Sequence, residues 1–206
     1  MIKGICHVVG AGDFSPELLK LGEGDMVIAC DGGYKKLKDA GLPCNICVGD
    51  FDSLGYVPDH SNTIVLPRVK DVTDMEEGIR LGVEKGFSEI CIYGALGGER
   101  FSHSVANMQT ISGYAQKGIR CTIKDYRCDI TALCNEKREF DAKGYSYVSA
   151  FAMSDKAIVS LVGFKYGEGE ELELSPSFPL GVSNEFKEKK GSVSVKGNII
   201  IIFEKN

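Results

Sequence analysis

Residues 73–94 read TDMEEGIRLGVEKGFSEICIYG, a stretch in which the spacing of apolar residues changes halfway along. In the first half, apolar residues recur three or four positions apart, which predicts an α-helix over Thr73 to Lys85. Gly86 ends this pattern, as glycine commonly does at a helix C-terminus. The second half holds an apolar run from Ile90 to Tyr93 that predicts a buried strand. The stretch therefore predicts one helix–strand unit of an α/β fold.

The same alternation continues in both directions from this unit. Further strands are predicted at Ile2–Val9, Val27–Cys30, Ile46–Val48, Thr63–Leu66 and Ile119–Lys124, and further helices after a cap at Ser15, at Tyr34–Ala40 and at Val105–Lys117. Strands that alternate with helices imply a mostly parallel sheet with helices on both faces. We therefore predict an N-terminal Rossmann-like α/β domain over residues 1–126.

After Asp125 the helical periodicity disappears and short strand-like runs follow one another. These runs are Tyr145–Phe151, Ala157–Leu161, Val182–Phe186, Ser192–Val195 and Ile199–Phe203, separated by Gly, Pro, Asp and Asn. Closely spaced short strands with turn residues between them are typical of an antiparallel sandwich or barrel. The sequence therefore predicts a second domain over residues 127–206, with the boundary near residue 126.

Composition excludes several classes of protein. The chain has 206 residues, a formal net charge of −5 and a pI of about 5.3, which argues against a dedicated nucleic-acid binder. Its longest apolar runs, such as Ile199 to Phe203, are far shorter than the roughly 20 residues that span a bilayer. The first residues lack the layout of a signal peptide. We therefore expect a cytoplasmic protein that binds neither nucleic acid nor membrane.

The eight cysteines are expected to be reduced thiols, since nothing in the sequence indicates secretion. Cys44 and Cys47 have the C-x-x-C spacing of zinc sites, but a structural zinc ion needs two further ligands. Cys128 and Cys134 are too far apart in sequence to form a second short-spaced pair. The sequence therefore argues against zinc and leaves open whether the first pair binds anything.

Acidic residues follow the predicted strands. Asp31, Asp50 and Asp52 come directly after strand-like runs, and Asp71 and Asp74 precede the clearest helix. The carboxyl ends of parallel strands share one edge of a sheet, where ligands of such folds bind. Carboxylates at such an edge suit Mg²⁺ bound together with substrate phosphates. The alternative is that Asp71 and Asp74 cap a helix and that Asp50 and Asp52 are solvated loop residues.

A second cluster, GALGGERFSH over residues 94–103, also follows a strand and precedes a helix. Its glycines would let backbone N–H groups approach a phosphate, and Arg100 could clamp phosphate oxygens in bidentate fashion. The cluster is not a P-loop, since no Gly-Lys-Ser/Thr follows the glycines, and Gly10-Ala11-Gly12 lacks the third glycine of a dinucleotide site. For His103 a structural role is as well supported as a functional one.

Five strings together resemble the thiamine pyrophosphokinase family. They are Asp-Gly-Gly at 31–33, Gly-Asp-Phe-Asp-Ser-Leu at 49–54, Lys-Asp-Val-Thr-Asp at 70–74, the cluster at 94–103, and Gly-Val-Ser-Asn-Glu at 181–185. The resemblance covers essentially the whole chain. It implies an α/β nucleotide domain, a C-terminal β-sandwich domain, and a homodimer in which thiamine lies between the subunits. The implied reaction transfers diphosphate from ATP to thiamine, gives AMP and thiamine diphosphate, and uses Mg²⁺.

The resemblance also assigns roles to residues. It implies catalysis and metal binding by Asp50, Asp52, Asp71 and Asp74, and thiamine binding by Ser183 and Asn184. For ATP it implies Asp31, Gly32, Gly33, Lys70, Gly94, Gly97, Gly98, Arg100 and His103. Asp125, at the end of the sixth predicted strand, is a further candidate for the sugar or base of the nucleotide. Either Asp71 or Asp74 is expected to accept the proton of the thiamine hydroxyl.

The chain departs from the family pattern at two positions of the glycine cluster. Glu99 is inserted before Arg100, and Ser102 stands where the family has an aspartate. Two other functions remain open on the residues alone. One is another Mg²⁺-dependent nucleotide pyrophosphokinase or a phosphohydrolase, and the other is a nucleotide-sensing module without catalysis.

Overall fold

The structure is a computed structural model that describes residues 3–98 and 100–205. The fold is mixed α/β, with a large mixed sheet and a separate antiparallel sheet of four strands. The chain divides into two compact units, one of residues 1–110 with 123–125 and one of residues 111–122 with 126–206. Among the described residues, no helix is long and apolar enough to cross a membrane.

The first unit is built from parallel strands and helices. Its strands are β1 (Cys6–Val9), β2 (Met26–Cys30), β3 (Ile46–Gly49), β4 (Thr63–Val65) and β5 (Glu89–Tyr93). They pair in parallel in the order β4-β3-β2-β1-β5. The helices are α1 (Gly33–Asp39), α2 (Asp74–Glu84) and the first part of α3 (Phe101–Gln116). The rest of α3 and most of the next strand, β6 (Arg120–Lys124), belong to the second unit. Parallel pairing places the ends of β1, β2, β3 and β5 along one edge.

Helix α2 confirms the expectation drawn from the spacing of its apolar residues. The Thr73 hydroxyl accepts a hydrogen bond from the backbone N–H of Glu76 and so caps the helix. Met75 and Ile79 are buried on its inner face. Gly78 lets the helix approach the sheet closely, since a Cβ there would collide with the sulfur of Cys30 on β2. This close packing fixes the N-terminus of α2 beside the strand ends.

The second unit is antiparallel. Its strands are β7 (Cys128–Cys134), β8 (Lys137–Asp141), β9 (Tyr145–Ala152), β10 (Ala157–Val162), β11 (Glu171–Leu174), β12 (Lys190–Lys196) and β13 (Asn198–Lys205). One set pairs in the order β7-β13-β9 and the other in the order β11-β10-β12-β8. Side chains from both sets, among them Val148, Val159, Val193 and Ile201, form one hydrophobic core.

Two local expectations from the sequence are wrong. The helix expected after Ser15 is a single 3₁₀ turn, Pro16–Leu18, and the Ser15 side chain makes no capping hydrogen bond. No strand forms over Val182–Phe186; this segment makes only isolated bridges, one of them between Asn184 and Val148. Ser183 has a φ of 60°, which interrupts an extended backbone. Strands β7, β8 and β11 were not predicted, and Ile2, expected in the first strand, lies outside the described residues.

Candidate functional site

Three carboxylates meet at the carboxyl ends of β2 and β3. Asp31, Asp50 and Asp52 each offer an oxygen, and these oxygens all lie within 4.8 Å of one another. The sequence predicts metal binding by Asp50 and Asp52, together with Asp71 and Asp74, and assigns Asp31 to ATP binding. We refer to Asp31, Asp50 and Asp52 as the carboxylate cluster. Their mutual repulsion at this distance is relieved by a cation, either a side chain or a metal ion.

The backbone of the cluster is bent into its shape. Asp31 and Phe51 have φ angles of 49° and 56°, in the left-handed region that non-glycine residues rarely adopt. Phe51 is nevertheless 2% exposed, so its ring anchors the turn in the hydrophobic core while its neighbours Asp50 and Asp52 are left at the surface edge. Such strain is kept where surrounding packing holds it.

One oxygen of the cluster has no hydrogen-bond partner within residues 3–98 and 100–205. Ser53 Oγ donates a hydrogen bond of 2.6 Å to Asp31 Oδ2. Asp31 Oδ1 is buried and accepts no hydrogen bond from the described residues. A buried carboxylate oxygen without a donor is costly unless a cation satisfies it. The donor set, all carboxylate oxygen, therefore fits a hard divalent cation such as Mg²⁺.

Lys70 connects the cluster to helix α2. Its Nζ lies 3.1 Å from Asp50 Oδ2 and 3.0 Å from Asp74 Oδ1, the latter contact being an ion pair rather than a well-aligned hydrogen bond. Burial opposes the charge on this ammonium, but the two carboxylates outweigh burial and raise the pKa of Lys70. Lys70 therefore stays charged and neutralises part of the carboxylate charge.

The two carboxylates beside Lys70 differ in their titration. Burial opposes ionisation of Asp50, but hydrogen bonds from the backbone N–H of Asp52 and from Lys70 outweigh it and lower the pKa of Asp50. For Asp74, burial is dominant and raises the pKa, in spite of Lys70. Asp50 is thus suited to hold a cation, and Asp74 is the better proton acceptor of the pair.

The remaining two predicted ligand positions are more open to solvent. Asp52 is exposed, and its Oδ2 lies 3.1 Å from Arg68 Nη2. Asp71 is also exposed, and it is not among the carboxylates that come within 4.8 Å of one another in residues 3–98 and 100–205. The structure thus brings Asp31, Asp50 and Asp52 together, adds Asp74 through Lys70, and leaves Asp71 apart.

The glycine cluster forms a loop that packs on the loop after β1. Gly12 N–H donates to the carbonyl of Gly94 at 2.8 Å, and Asp13 N–H donates to that of Leu96 at the same distance. A Cβ on Gly12 would collide with both of these carbonyl groups, so the close approach requires glycine. Asn107 on α3 donates to the carbonyl of Ala95 at 2.7 Å and fixes the loop to the helix. Both loops therefore lie at the same sheet edge as the carboxylates.

The charged side chains after this loop are accessible. Arg100 and His103 are both exposed. Partial burial, followed by the positive charge of Arg100, lowers the pKa of His103, so its imidazole is neutral at pH 7. Asp125, at the end of β6, is 4% exposed. Glu99, the residue inserted before Arg100, lies outside the described residues.

Ser183 and Asn184 belong to the second unit. They lie with Leu180, Gly181 and Val182 at the lining of a cavity of about 320 Å³ whose walls are mostly apolar. Ser183 is exposed, and its backbone N–H donates to Ser149 Oγ at 3.1 Å. The exposed hydroxyl of Ser183 is therefore accessible to a ligand.

The side chain of Asn184 is occupied by the turn that carries it. Its Oδ1 accepts from the backbone N–H groups of Tyr166 and Glu185, and its Nδ2 donates to the carbonyl of Tyr166. Its backbone forms a pair of hydrogen bonds with Val148. Asn184 therefore has a structural role, which the sequence alone did not separate from ligand binding.

Ser53 and Arg68 also contact the carboxylate cluster, and neither was predicted to have a role. Ser53 lies inside the string Gly-Asp-Phe-Asp-Ser-Leu, so its place directly after two carboxylates was the available signal. Arg68 has no such signal, because it lies 16 positions from Asp52, on the other side of strand β4.

Comparison with known proteins supplies the family context. The family model described as thiamin pyrophosphokinase, catalytic domain, matches residues 20–123, which is half of the chain. A search of curated protein sequences finds no match. Several solved structures share the fold over nearly the whole chain.

Two bacterial structures are the most informative of these. Thiamine pyrophosphokinase from Bacillus subtilis is 25% identical, with a TM-score of 0.85, and the match covers 98% of this chain and 99% of that one. Thiamin pyrophosphokinase from Geobacillus thermodenitrificans is 29% identical, with a TM-score of 0.82 and 98% of each chain covered. The enzyme from Candida albicans, 14% identical with a TM-score of 0.76 and covering 98% of this chain and 90% of its own, shares the fold.

Proposed function

Because the chain belongs to the thiamin pyrophosphokinase family, we propose that its carboxylate cluster, Lys70 and glycine loops form the site that transfers diphosphate from ATP to thiamine. The enzyme is a thiamine diphosphokinase, and its products are AMP and thiamine diphosphate. The observation that carries the site assignment is the buried Oδ1 of Asp31 beside Asp50 and Asp52, which accepts no hydrogen bond from the part of the chain that the structure describes. A cation bound there would satisfy this oxygen and would also supply the positive charge that the phosphates of ATP require.

Asp50 and Asp52 would hold Mg²⁺, with Asp31 as a third ligand and with Asp74 linked to them through Lys70. Asp71, which the resemblance also implies as a ligand, is exposed and lies apart from this group. When bound, the ion supplies positive charge that offsets the charge of the triphosphate. Lys70 adds a positive charge fixed between Asp50 and Asp74. Arg100 contributes a planar fork for phosphate oxygens, and neutral His103 offers a hydrogen-bond donor.

Backbone N–H groups of the loop at residues 94–98 and of the Gly32-Gly33 turn complete the nucleotide site. We assign the phosphates to Gly94, Gly97 and Gly98 and to the Gly32-Gly33 turn, where glycine lets the backbone approach closely. Asp125, buried at the end of β6, is assigned to the sugar or base. The role of these groups is to hold the β-phosphorus in line with the incoming hydroxyl oxygen.

The hydroxyl of thiamine must lose its proton as its oxygen bonds to the β-phosphorus. Asp74 is the carboxylate suited to accept this proton, because burial raises its pKa towards the working range of a general base. Asp71, the other candidate, is exposed. The bond that breaks joins the α-phosphate to the β-phosphorus, so AMP leaves with the bridging oxygen.

We assign residues 1–126 to a Rossmann-like catalytic domain and residues 127–206 to a β-sandwich domain for thiamine binding and dimerisation. Ser183, exposed on a strained turn, is assigned to the aminopyrimidine, and Asn184 holds that turn. The family resemblance supports a cytoplasmic homodimer in which each active site contains residues of both chains. Thiamine and ATP are the two substrates.

A coupled assay with thiamine and Mg-ATP tests the function directly. We expect AMP and thiamine diphosphate in equal amounts, with ATP consumption that depends strictly on thiamine. ADP as the product would indicate phosphoryl rather than diphosphoryl transfer. ATP hydrolysis without thiamine would indicate a phosphohydrolase, and binding without turnover a sensing module. Omitting Mg²⁺ from the same assay tests the metal requirement.

A further inference from the structure

Two thiols and an imidazole meet near the N-terminal ends of strands β3 and β4. The carboxylate cluster, by contrast, follows the C-terminal ends of β2 and β3. Cys44 Sγ and Cys47 Sγ lie 3.5 Å apart. A ring nitrogen of His60 joins them, so that one ligand atom from each residue lies within 4.8 Å of the other two. The sequence showed the thiol pair but not the histidine, which comes from the loop between β3 and β4.

We propose that Cys44, Cys47 and His60 form a binding site for a zinc ion, with a fourth position left for water or another small ligand. Tetrahedral zinc with Zn–S bonds of about 2.3 Å places two sulfurs about 3.8 Å apart. The observed separation of 3.5 Å is close to that value and much longer than the roughly 2.0 Å of a disulfide. The pair is therefore already spaced for a shared ion.

The histidine is held in place by its surroundings. His60 Nε2 lies 3.0 Å from the carbonyl oxygen of Cys44, and Nδ1 lies 3.2 Å from the backbone nitrogen of Asn62. The ring of Tyr34 packs against the imidazole edge-on, with centroids 6.2 Å apart. A hydrogen bond from one imidazole nitrogen to a backbone carbonyl is the usual companion of metal ligation by the other. Zinc binding would exchange one of the two ring contacts for a metal bond.

Access and chemistry also fit zinc. Cys47 is fully buried, whereas Cys44 and His60 are half-buried, which gives an ion a route to the sulfurs. Two thiolates and one imidazole are ligands that zinc accepts and that Mg²⁺ does not prefer. Binding replaces the protons of the two thiols, so it releases protons to solvent and strengthens as the pH rises.

The test uses the whole chain, reduced with a phosphine and freed of metal, and titrated with Co²⁺ in saturating Mg²⁺. Cobalt bound to thiolates gives a charge-transfer band in the near ultraviolet that carboxylates do not give. We expect one such Co²⁺ per chain, displaced by Zn²⁺. The band should disappear in Cys44→Ser. In His60→Gln the apparent affinity for Co²⁺ should fall at least tenfold, given the cost of losing a ligand.

The matched control is Cys134→Ser, since Cys134 is also a half-buried free thiol but lies in the second unit. It should keep the full band. Circular dichroism of each metal-free variant checks that the fold persists, and half-buried Cys44 tolerates serine better than Cys47. Absence of the band, or an unchanged band in Cys44→Ser, would overturn the proposal. Diphosphotransfer is assayed separately, so failure here leaves the proposed function untouched.

Discussion

The ammonium group of Lys70 lies 3.1 Å from Asp50 Oδ2, with both side chains 13% exposed. The pair lies between the end of strand β3 and the N-terminus of helix α2. Asp50 is therefore kept ionised by a positive charge that the protein itself supplies. The same ammonium lies at the edge of the carboxylate cluster, where the phosphates of ATP are expected.

Lys70→Met should change the pH dependence of the reaction as well as its rate. Without the ammonium the pKa of Asp50 rises, because Lys70 now contributes to lowering it. A carboxylate with a raised pKa protonates at higher pH, so the acidic limb of the kcat/KM profile should move upward. We expect a rate loss of about 10²-fold at neutral pH from the lost phosphate contact.

A pH–rate profile from pH 5 to 9 measures both effects. Lys35→Met is the control, since Lys35 is exposed and, within the described residues, forms an ion pair with exposed Asp39. An acidic limb in Lys70→Met that coincides with that of the parent enzyme would show that Asp50 is not the titrating group.

Asp52→Asn should leave the fold intact and remove most of the activity. Asp52 is exposed, so the amide costs little stability, but it weakens a ligand of the proposed ion. We expect kcat/KM to fall by about 10²-fold or more and the Mg²⁺ requirement to shift to higher concentration. Asp59→Asn, at an exposed aspartate outside the cluster, is the control. Normal Mg²⁺ dependence in an active Asp52→Asn enzyme would remove Asp52 from the metal site.

Arg100→Lys tests whether a planar fork is needed for the phosphates. Lysine keeps the charge but loses the bidentate geometry of the guanidinium, so activity should fall well below that of the parent. Arg100→Ala should cost about 10²-fold in kcat/KM, mostly through weaker use of ATP. Arg120→Lys, at an exposed arginine of β6, should have no effect. Unchanged turnover in Arg100→Ala would reduce Arg100 to a solvated charge.

The parts of the fold that depend on local spacing were predicted well. The apolar spacing of Thr73 to Lys85 predicted helix α2 to within a residue at each end. Edge strand β8 was missed because it reads Lys-Arg-Glu-Phe-Asp, with alternate residues exposed and only one apolar side chain. A strand of that kind is specified by its partner β12 rather than by its own composition.

The candidate site was predictable where acidic residues recur directly after successive strands. Carboxylates after successive strands indicated a shared edge, and Asp31, Asp50 and Asp52 do converge there. The approach of His60 to Cys44 was not predictable, since it depends on the path of a loop with no periodic signal. The structural use of the Asn184 side chain was hidden for the same reason, because its partner Tyr166 lies 18 positions away.

Asp25 is expected to stabilise the first unit at neutral pH. Burial opposes its ionisation, but hydrogen bonds from the backbone N–H groups of Ile5 and Gly22 and from His7 outweigh burial and lower the pKa of Asp25. Asp25→Asn should therefore reduce the free energy of unfolding at pH 7 by about 1–3 kcal/mol.

The sign of the pH effect follows from the lowered pKa. Asp25 contributes its stability above the unfolded-state pKa of about 3.9, and that stability is lost as the pH falls through the lower pKa of the folded state. Urea unfolding of parent and variant should show a constant difference above about pH 5 that shrinks below about pH 4. Asp39→Asn, at an exposed aspartate, is the control. A difference that grows on acidification would contradict this account of Asp25.

The last prediction concerns whether each active site contains residues of two chains. An Asp52→Asn variant should lose the activity of its catalytic domain, and a Ser183→Arg variant should lose thiamine binding through bulk and through repulsion of the cationic substrate. Ser183 suits this purpose because it is exposed, whereas replacing Asn184 would break three hydrogen bonds of its turn. In a shared-site homodimer, mixing the two inactive variants under subunit exchange creates heterodimers with one intact site. We expect such heterodimers to recover up to about half of the parent activity per dimer.

Two differently tagged chains verify that heterodimers have formed, and each variant mixed with itself is the control. Verified heterodimers that stay inactive would place the whole site within a single chain.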